Sequence, residues 1–341
     1  MLGLMGFVEA LGNLALFIFV AIDVGAIYQA VASIADRRKW PPPGRLVDVG
    51  GHRLHLLEVG TGGPTVILEA GGGAWSLEWC RVQAEVAKFT RTVSYDRAGY
   101  GWSDAGLKNP TSRQVSEELH ALLEKAEIAG PYILVGRSLG GLHMRMFAHL
   151  YPQEVAGVVL VDASHEDENR RILPQLRAAG ERNLNRLGWL RLLAPIGLIR
   201  FAGWWEILPK LGTIEKLPAQ RQDAARAGIF RSLYCSTLYS EYRHFDESAD
   251  QVRAAGSLRD LPLAVLTAAN HLDPADYRQD FPIEASRRIW LELQAELAAL
   301  SSDSHQSVLP DCGNYVSLER PEAVVAAIRS VYLKARKRVG R

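Results

Sequence analysis

The chain has 341 residues, a length that fits two domains of about 150 residues or one large α/β domain with an insertion. Hydrophobic residues make up 48% and charged residues 23% of it, which excludes intrinsic disorder, collagen and coiled coils. The net charge of +1 argues against a nucleic-acid partner, and three cysteines without a CxxC pair indicate neither a disulfide framework nor a zinc site. No metal or other cofactor is implied.

The first 44 residues differ from the rest of the chain. The apolar run 14–34 approaches the ~20 residues that span a bilayer, and Asp23 near its middle costs about 2.5–3.5 kcal/mol on insertion scales. No basic residue precedes the run, which argues against a cleaved signal peptide. Residues 1–44 are therefore predicted to be a membrane anchor and linker, the alternative being a helix packed on the protein or lying at the membrane surface. The basic residues at 37–39 predict that the remainder lies in the cytoplasm.

Beyond residue 44, short apolar runs alternate with helical patterns such as 112–128 and 139–151. The runs predict eight strands, the first two forming a hairpin: 46–49, 53–59, 65–69, 92–95, 132–135, 158–161, 263–267 and 306–309. This alternation predicts an α/β fold with a mostly parallel eight-stranded sheet and helices on both faces.

One long stretch breaks the alternation between the sixth and seventh strands. Residues 163–258 are rich in Leu, Arg and Trp, too long for a bare loop and too patterned for disorder. We interpret them as a helical lid, or cap. The core is then formed by two parts of the chain, 45–162 and 259–341.

The sequence Gly136-Arg137-Ser138-Leu139-Gly140 follows an apolar strand and precedes a helix, the context of a G-x-S-x-G nucleophile elbow. There Ser138 projects into solvent, and the backbone amide of Leu139 at the helix N-terminus favours a developing oxyanion. A second glycine-rich loop, residues 71–73, follows the third strand. It predicts the Gly72 amide as the other oxyanion donor.

These segments carry a resemblance to a known family. Residues 46–333 resemble the α/β-hydrolase superfamily, specifically bacterial serine hydrolases of the lipase and esterase type, through five segments that read LEAGGG, DRAGYGWS, GRSLGG, LVDASHED and CGNYVSLERPE. The N-terminal anchor is also similar to one branch of that family. The resemblance implies an α/β-hydrolase fold, and serine rather than aspartate at the elbow argues against dehalogenase or epoxide-hydrolase chemistry.

The sequence departs from the family at the position of the general base. Relatives carry the catalytic histidine after the eighth strand, in a pattern similar to G-H-[YF]-x-x-[LI]-[DE]-x-P, whereas this chain has Asn314 there. An amide does not accept the serine proton at neutral pH, and losing a triad member lowers turnover by several orders of magnitude. His165 and His271, after the sixth and seventh strands, are the possible substitutes, although each is more often a surface or supporting residue.

The acid that orients the base has two candidates. Asp162 ends the sixth strand beside the nucleophile strand, and Asp273 follows the seventh strand, where the superfamily more often places its acid. The sequence slightly favours Asp162. The substrate-pocket candidates are Trp75 and Arg137, and Arg137 either binds a carboxylate or pairs with an acid, which is the favoured interpretation.

The sequence thus predicts a membrane-anchored hydrolase of small carboxylic esters, including lipid esters, that is impaired by Asn314. The alternative is a protein that keeps the hydrolase pocket to bind a ligand or a protein partner without catalysis.

Overall fold

A computed structural model describes residues 2–204, 212–272 and 281–339. Eight strands form one open sheet in the order β1-β2-β4-β3-β5-β6-β7-β8, with β2 antiparallel to both neighbours and the other pairs parallel. The strands are β1 (Arg45–Asp48), β2 (Arg53–Val59), β3 (Thr65–Glu69), β4 (Thr92–Tyr95), β5 (Tyr132–Arg137), β6 (Val155–Val161), β7 (Leu263–Ala268) and β8 (Ser304–Leu309). The predicted sheet is confirmed. β8 begins earlier than expected, so His305 lies within it rather than before it.

The helices cover both faces of this sheet and extend beyond it. In the described part of the chain they are α1 (Leu2–Lys39), α2 (Cys80–Val86), α3 (Ser112–Lys125), α4 (Leu139–Leu150), α5 (Glu168–Arg171), α6 (Pro174–Leu193), α7 (Leu198–Trp204), α8 (Gly212–Lys216), α9 (Ala219–Ile229), α10 (Ser232–Arg243), α11 (Phe245–Ala255), α12 (Ile283–Ala298), α13 (Val316–Glu319) and α14 (Pro321–Val339). The predicted helices at 112–128 and 139–151 correspond to α3 and α4.

Burial on both faces explains why the central strands are uniformly apolar. β3 and β5 are buried throughout, as expected for parallel strands covered by helices on each side. Leu119 of α3 and Phe147 of α4 pack on one face, and Val82 of α2 and Ile328 of α14 pack on the other. The parallel arrangement brings the carboxyl ends of β3 to β8 to one edge, where open α/β sheets bind their ligands.

The cap, defined here as residues 163–258, contains α5 to α11 and follows β6 directly. Its last helix, α11, fixes it to the core, because Phe245 and Val252 pack against Leu142 and Met146 of α4. The cap therefore sits over the helix that begins at the elbow.

The N-terminal helix α1 has 38 residues and is about 57 Å long at 1.5 Å per residue. It is long and apolar enough to cross a membrane, with a mean hydropathy of 2.1 in its most apolar window and none of that window buried. From Gly25 onward one side of the helix packs on the cap. The Gln29 amide donates to the Phe230 carbonyl at 2.7 Å, and Arg200 pairs with Asp36 at 2.6 Å.

Candidate active site

Ser138 lies at the sharp turn between β5 and α4, the strand–turn–helix geometry that its motif predicts. Its φ of +49° is unusual for a residue with a side chain and stores strain of roughly 1–3 kcal/mol. The backbone holds this conformation, since the Ser138 carbonyl accepts from the Gly141 and Ser164 amides, each at 2.9 Å. A Cβ at Gly136 would lie 2.5 Å from the carbonyl oxygen of Gly140, so the turn requires glycine there.

Asp162, at the end of β6, is fully buried and holds His271 in place. One carboxylate oxygen, Oδ2, lies 2.7 Å from Nδ1 of His271, just beyond β7. The other, Oδ1, accepts from the Ala268 amide at 3.1 Å and from the Trp290 indole at 2.8 Å. The Trp290 ring also stacks on the imidazole, with centroids 3.8 Å apart. The sequence offered His271 as a possible substitute base, although such a histidine is more often a surface or supporting residue. In the structure a carboxylate orients its imidazole at the sheet edge.

This pairing sets the proton affinity of His271. Burial by itself lowers the pKa of a histidine, but the charge and hydrogen bond of Asp162 outweigh it, and the pKa of His271 is raised above its ordinary value. Because Nδ1 faces the carboxylate, a neutral His271 carries its lone pair on Nε2, the atom that acts as a base. Among the described residues, the Ser138 hydroxyl has no hydrogen-bond partner. Hydrogen bonds between a nucleophile and its base are often long before substrate binds.

The glycine loop after β3 lies against the elbow. A methyl group built on Gly72 would be 3.7 Å from Cδ2 of Leu139, so the two predicted oxyanion residues are neighbours. The next amide in the loop, that of Gly73, instead donates to Oε2 of Glu241 at 3.3 Å. The cap therefore contacts the loop directly.

A buried ionic network contacts the glycine loop that follows β3. Arg97, from the DRAGYGWS segment, pairs with Glu69 at 2.5 Å and with Glu241 of the cap at 2.7 Å. It also donates to the carbonyls of Ala70 and Gly71 at 2.8 and 2.9 Å. The two carboxylates hold the pKa of Arg97 well above its usual range despite the opposing effect of burial. Sequence reasoning missed Glu241, because no motif surrounds it in α10.

Arg137 is paired with an acid, as the sequence favoured. Its guanidinium bonds the buried carboxylate of Glu78, which also accepts from Ser317 at 2.9 Å. The other side of the guanidinium lies 3.3 Å from both the carbonyl and the side-chain oxygen of Asn314. Asn314 is thus an acceptor for Arg137. Glu78 was also missed, since nothing in the sequence links it to position 137.

The remaining predicted residues lie elsewhere or fall outside the described residues. His165 lies 3.6 Å from both Glu166 and Glu296, and burial lowers its pKa, so it is engaged away from Asp162. Trp75 lines a cavity of about 110 Å³ between α1, the cap and the core, and Ser138 is not among the residues that line this cavity. Asp273 lies outside the described residues.

Three further histidines, His143, His149 and His305, lie in other surroundings. His143 is buried against Glu69, with 3.3 Å between Nδ1 and the carboxylate, while His149 and His305 are exposed. Of the described histidines that follow a strand at this edge, His271 is the one paired with Asp162.

Residues 64–191 match the family model described as the alpha/beta hydrolase fold. Among curated proteins, the probable transporter efuK of Hormonema carpetanum is 34% identical over 129 residues, which are 36% of this chain and 18% of that protein. This chain therefore aligns with less than a fifth of the length of that relative.

Two solved structures extend the similarity over most of the chain. An esterase from Thermogutta terrifontis is 20% identical with a TM-score of 0.60, covering 85% of this chain and 98% of that one. A putative lipase from Acinetobacter baumannii is 18% identical with a TM-score of 0.65, covering 91% and 97%. At these identities the similarity concerns the fold.

Proposed function

We propose that this chain, which has the α/β-hydrolase fold, is a serine hydrolase of small carboxylic esters, with Ser138 as nucleophile and His271 as base. The observation that carries the proposal is the 2.7 Å contact between His271 and Asp162 at the sheet edge that also presents Ser138. A carboxylate that holds Nδ1 of an imidazole fixes the tautomer in which Nε2 takes a proton.

The proposed reaction follows from these groups. Ser138 attacks the acyl carbon while its hydroxyl proton passes to Nε2 of His271, and the Leu139 and Gly72 amides stabilise the oxyanion that forms. His271 then gives the proton to the leaving alcohol. Water, deprotonated by the same imidazole, releases the acid and restores Ser138.

Asn314 takes no proton in this scheme. Its side-chain oxygen accepts from Arg137, and the buried Arg137–Glu78 pair holds the loop that follows β8 against the elbow. Asp162 is the proposed acid because its carboxylate contacts the imidazole of His271.

We further propose that α1 anchors the protein in a membrane with the hydrolase domain on the cytoplasmic side. The apolar length of α1 supports the first point, and its last turn, which carries Arg37, Arg38 and Lys39, supports the second.

Ester hydrolysis and active-site labelling test the function together. We expect the full chain to cleave a p-nitrophenyl ester and to be labelled by a fluorophosphonate, and we expect Ser138→Ala to abolish both. Ser302→Ala, which removes an exposed serine, is the matched control and should keep both. Hydrolysis that persists in Ser138→Ala would contradict the assignment of the nucleophile.

One observation favours a second function. Asn314 stands where the family carries its base, so a chain that binds a ligand without turnover has the same appearance in sequence. Absence of labelling, combined with tight binding of an apolar ligand, would establish this non-catalytic function instead.

The raised pKa of His271 predicts how the rate depends on pH. The base must be neutral, so kcat/KM should rise with pH through an apparent pKa above the ordinary value of about 6.5. Glu168 adds to this shift and Arg137 opposes it. Asp162→Asn should move the apparent pKa downward while also reducing the rate, measured from kcat/KM between pH 5 and pH 9. An unchanged midpoint in Asp162→Asn would show that another group controls the profile.

A further inference from the structure

The two sides of the C-terminal part of α1 are chemically different. One side faces the cap: Gln29 is buried, and Gly25 lies so close to the carbonyl of Ile196 that a methyl group there would overlap it. The opposite side carries Ile27, Val31 and Ile34, which are 64%, 61% and 54% exposed. These three residues, spaced as on one helix face, are called the apolar stripe below.

The apolar stripe continues the membrane segment without a break. Large apolar side chains between Met5 and Val24 are also exposed, and the first basic residue of the chain is Arg37. If the bilayer covers the apolar stripe, lipid and the cap contact the same turns of α1 on opposite sides of the helix. Since a helix with its side chains is only about 10–12 Å wide, the cap then lies within one helix diameter of lipid.

The cap presents apolar side chains next to this junction. Trp189 and Leu192, on the exposed face of α6, are 69% and 58% exposed, and Leu198 at the start of α7 is 46% exposed. The turn that joins these helices is the one that touches α1, because the carbonyl of Gly25 lies 3.0 Å from where a Cβ of Gly197 would be. Trp189, Leu192 and Leu198 are called the cap face.

The positive charges around the cap face indicate that it contacts an anionic membrane. Arg182, Arg186 and Arg191 of α6 are exposed, so cationic side chains that attract anionic lipid headgroups lie beside the Trp and Leu of the cap face. A soluble protein would leave such a patch in water at a cost in hydrophobic free energy, whereas a membrane interface covers it.

We propose that the cap is a second membrane-contacting element, with the cap face immersed in the interface of the anionic bilayer that α1 crosses. The proposal rests on the proposed anchoring by α1 but makes a separate claim, that lipid contacts the cap as well as the helix.

Site-specific quenching tests this claim on the full chain in phosphatidylcholine–phosphatidylglycerol vesicles. Cysteines introduced one at a time at Leu16, Val31, Leu192 and Leu198 are labelled with an environment-sensitive fluorophore. The background is Cys80→Ser, in which the two native cysteines that remain, Cys235 and Cys312, are buried. Leu107 and Leu333, which are exposed on the core, are the control positions. We expect nitroxide-labelled lipid to reduce the fluorescence at 192 and 198 by about twofold, as at 16 and 31, and aqueous iodide to quench 107 and 333 instead.

The possible failures differ from one another. Lipid quenching at 16 without quenching at 192 and 198 would leave the anchor in place and overturn the proposal for the cap. Absence of quenching at 16 would overturn both the anchor and the cap contact. Probes at 192 and 198 that are shielded from iodide but not quenched by lipid would show that a protein surface covers the cap face, which also overturns the proposal.

Discussion

Replacing His271 with alanine is expected to lower kcat/KM for ester hydrolysis by about 10⁴-fold or more, because a serine nucleophile without its base keeps only the oxyanion contacts and substrate binding. The structure supports this assignment through the 2.7 Å contact with Asp162 and the stacked Trp290 ring. The measurement is steady-state hydrolysis of a p-nitrophenyl ester by each variant.

Asn314→Ala is the matched variant for this prediction. It removes a side chain from the position where the sequence resemblance predicts a base, yet we expect a change of less than about tenfold, because the Asn314 side-chain oxygen accepts from Arg137. His271→Gln keeps a planar group beside Trp290 and should be as inactive as His271→Ala. It serves to distinguish the loss of the base from a loss of activity caused by misfolding. If Asn314→His instead raises the rate by orders of magnitude while His271→Ala changes little, the base belongs at 314 and the natural chain is silenced.

Arg97→Met is expected to lower the free energy of unfolding by about 3–5 kcal/mol, the loss typical of removing one partner from a buried ion pair. Glu69 and Glu241 would remain buried without their cation, and two carbonyls of the loop after β3 would lose their donors. The measurement is urea unfolding of the detergent-purified protein, followed by tryptophan fluorescence.

An arginine at the protein surface provides the control. Arg171 also pairs with two carboxylates, Glu292 and Glu296, but both lie in water, which screens such pairs, so Arg171→Met should hardly move the midpoint. An equally small effect of Arg97→Met would contradict the supporting role of the buried network.

The fold could be predicted from the sequence because its signals are local. β5 begins with the apolar run 132–135 and leads through Gly136 to Ser138. An apolar run of this kind indicates a strand that is buried on both faces of a parallel sheet. The same applies to Asp162, whose position at the end of an apolar strand already places it at the sheet edge. Thus the eight strands, the elbow and the acid favoured from the sequence all depend on residues that are close together in the chain.

The identity of the proposed base could not be predicted in the same way. His271 and Asp162 are 109 residues apart and meet only because β6 and β7 pair in parallel and end at the same edge. Glu241 reaches Arg97 across 144 residues through a cap whose packing has no local signature. The sequence by itself determined the strands, the turn that carries Ser138 and the long apolar N-terminal helix, since burial pattern and turn chemistry are properties of short segments. Only the tertiary structure decided which histidine faces Asp162, which carboxylates pair with Arg97 and Arg137, and which side of α1 the cap covers. These contacts join segments that are far apart in the chain, and the distance between two residues in the sequence does not indicate their distance in space.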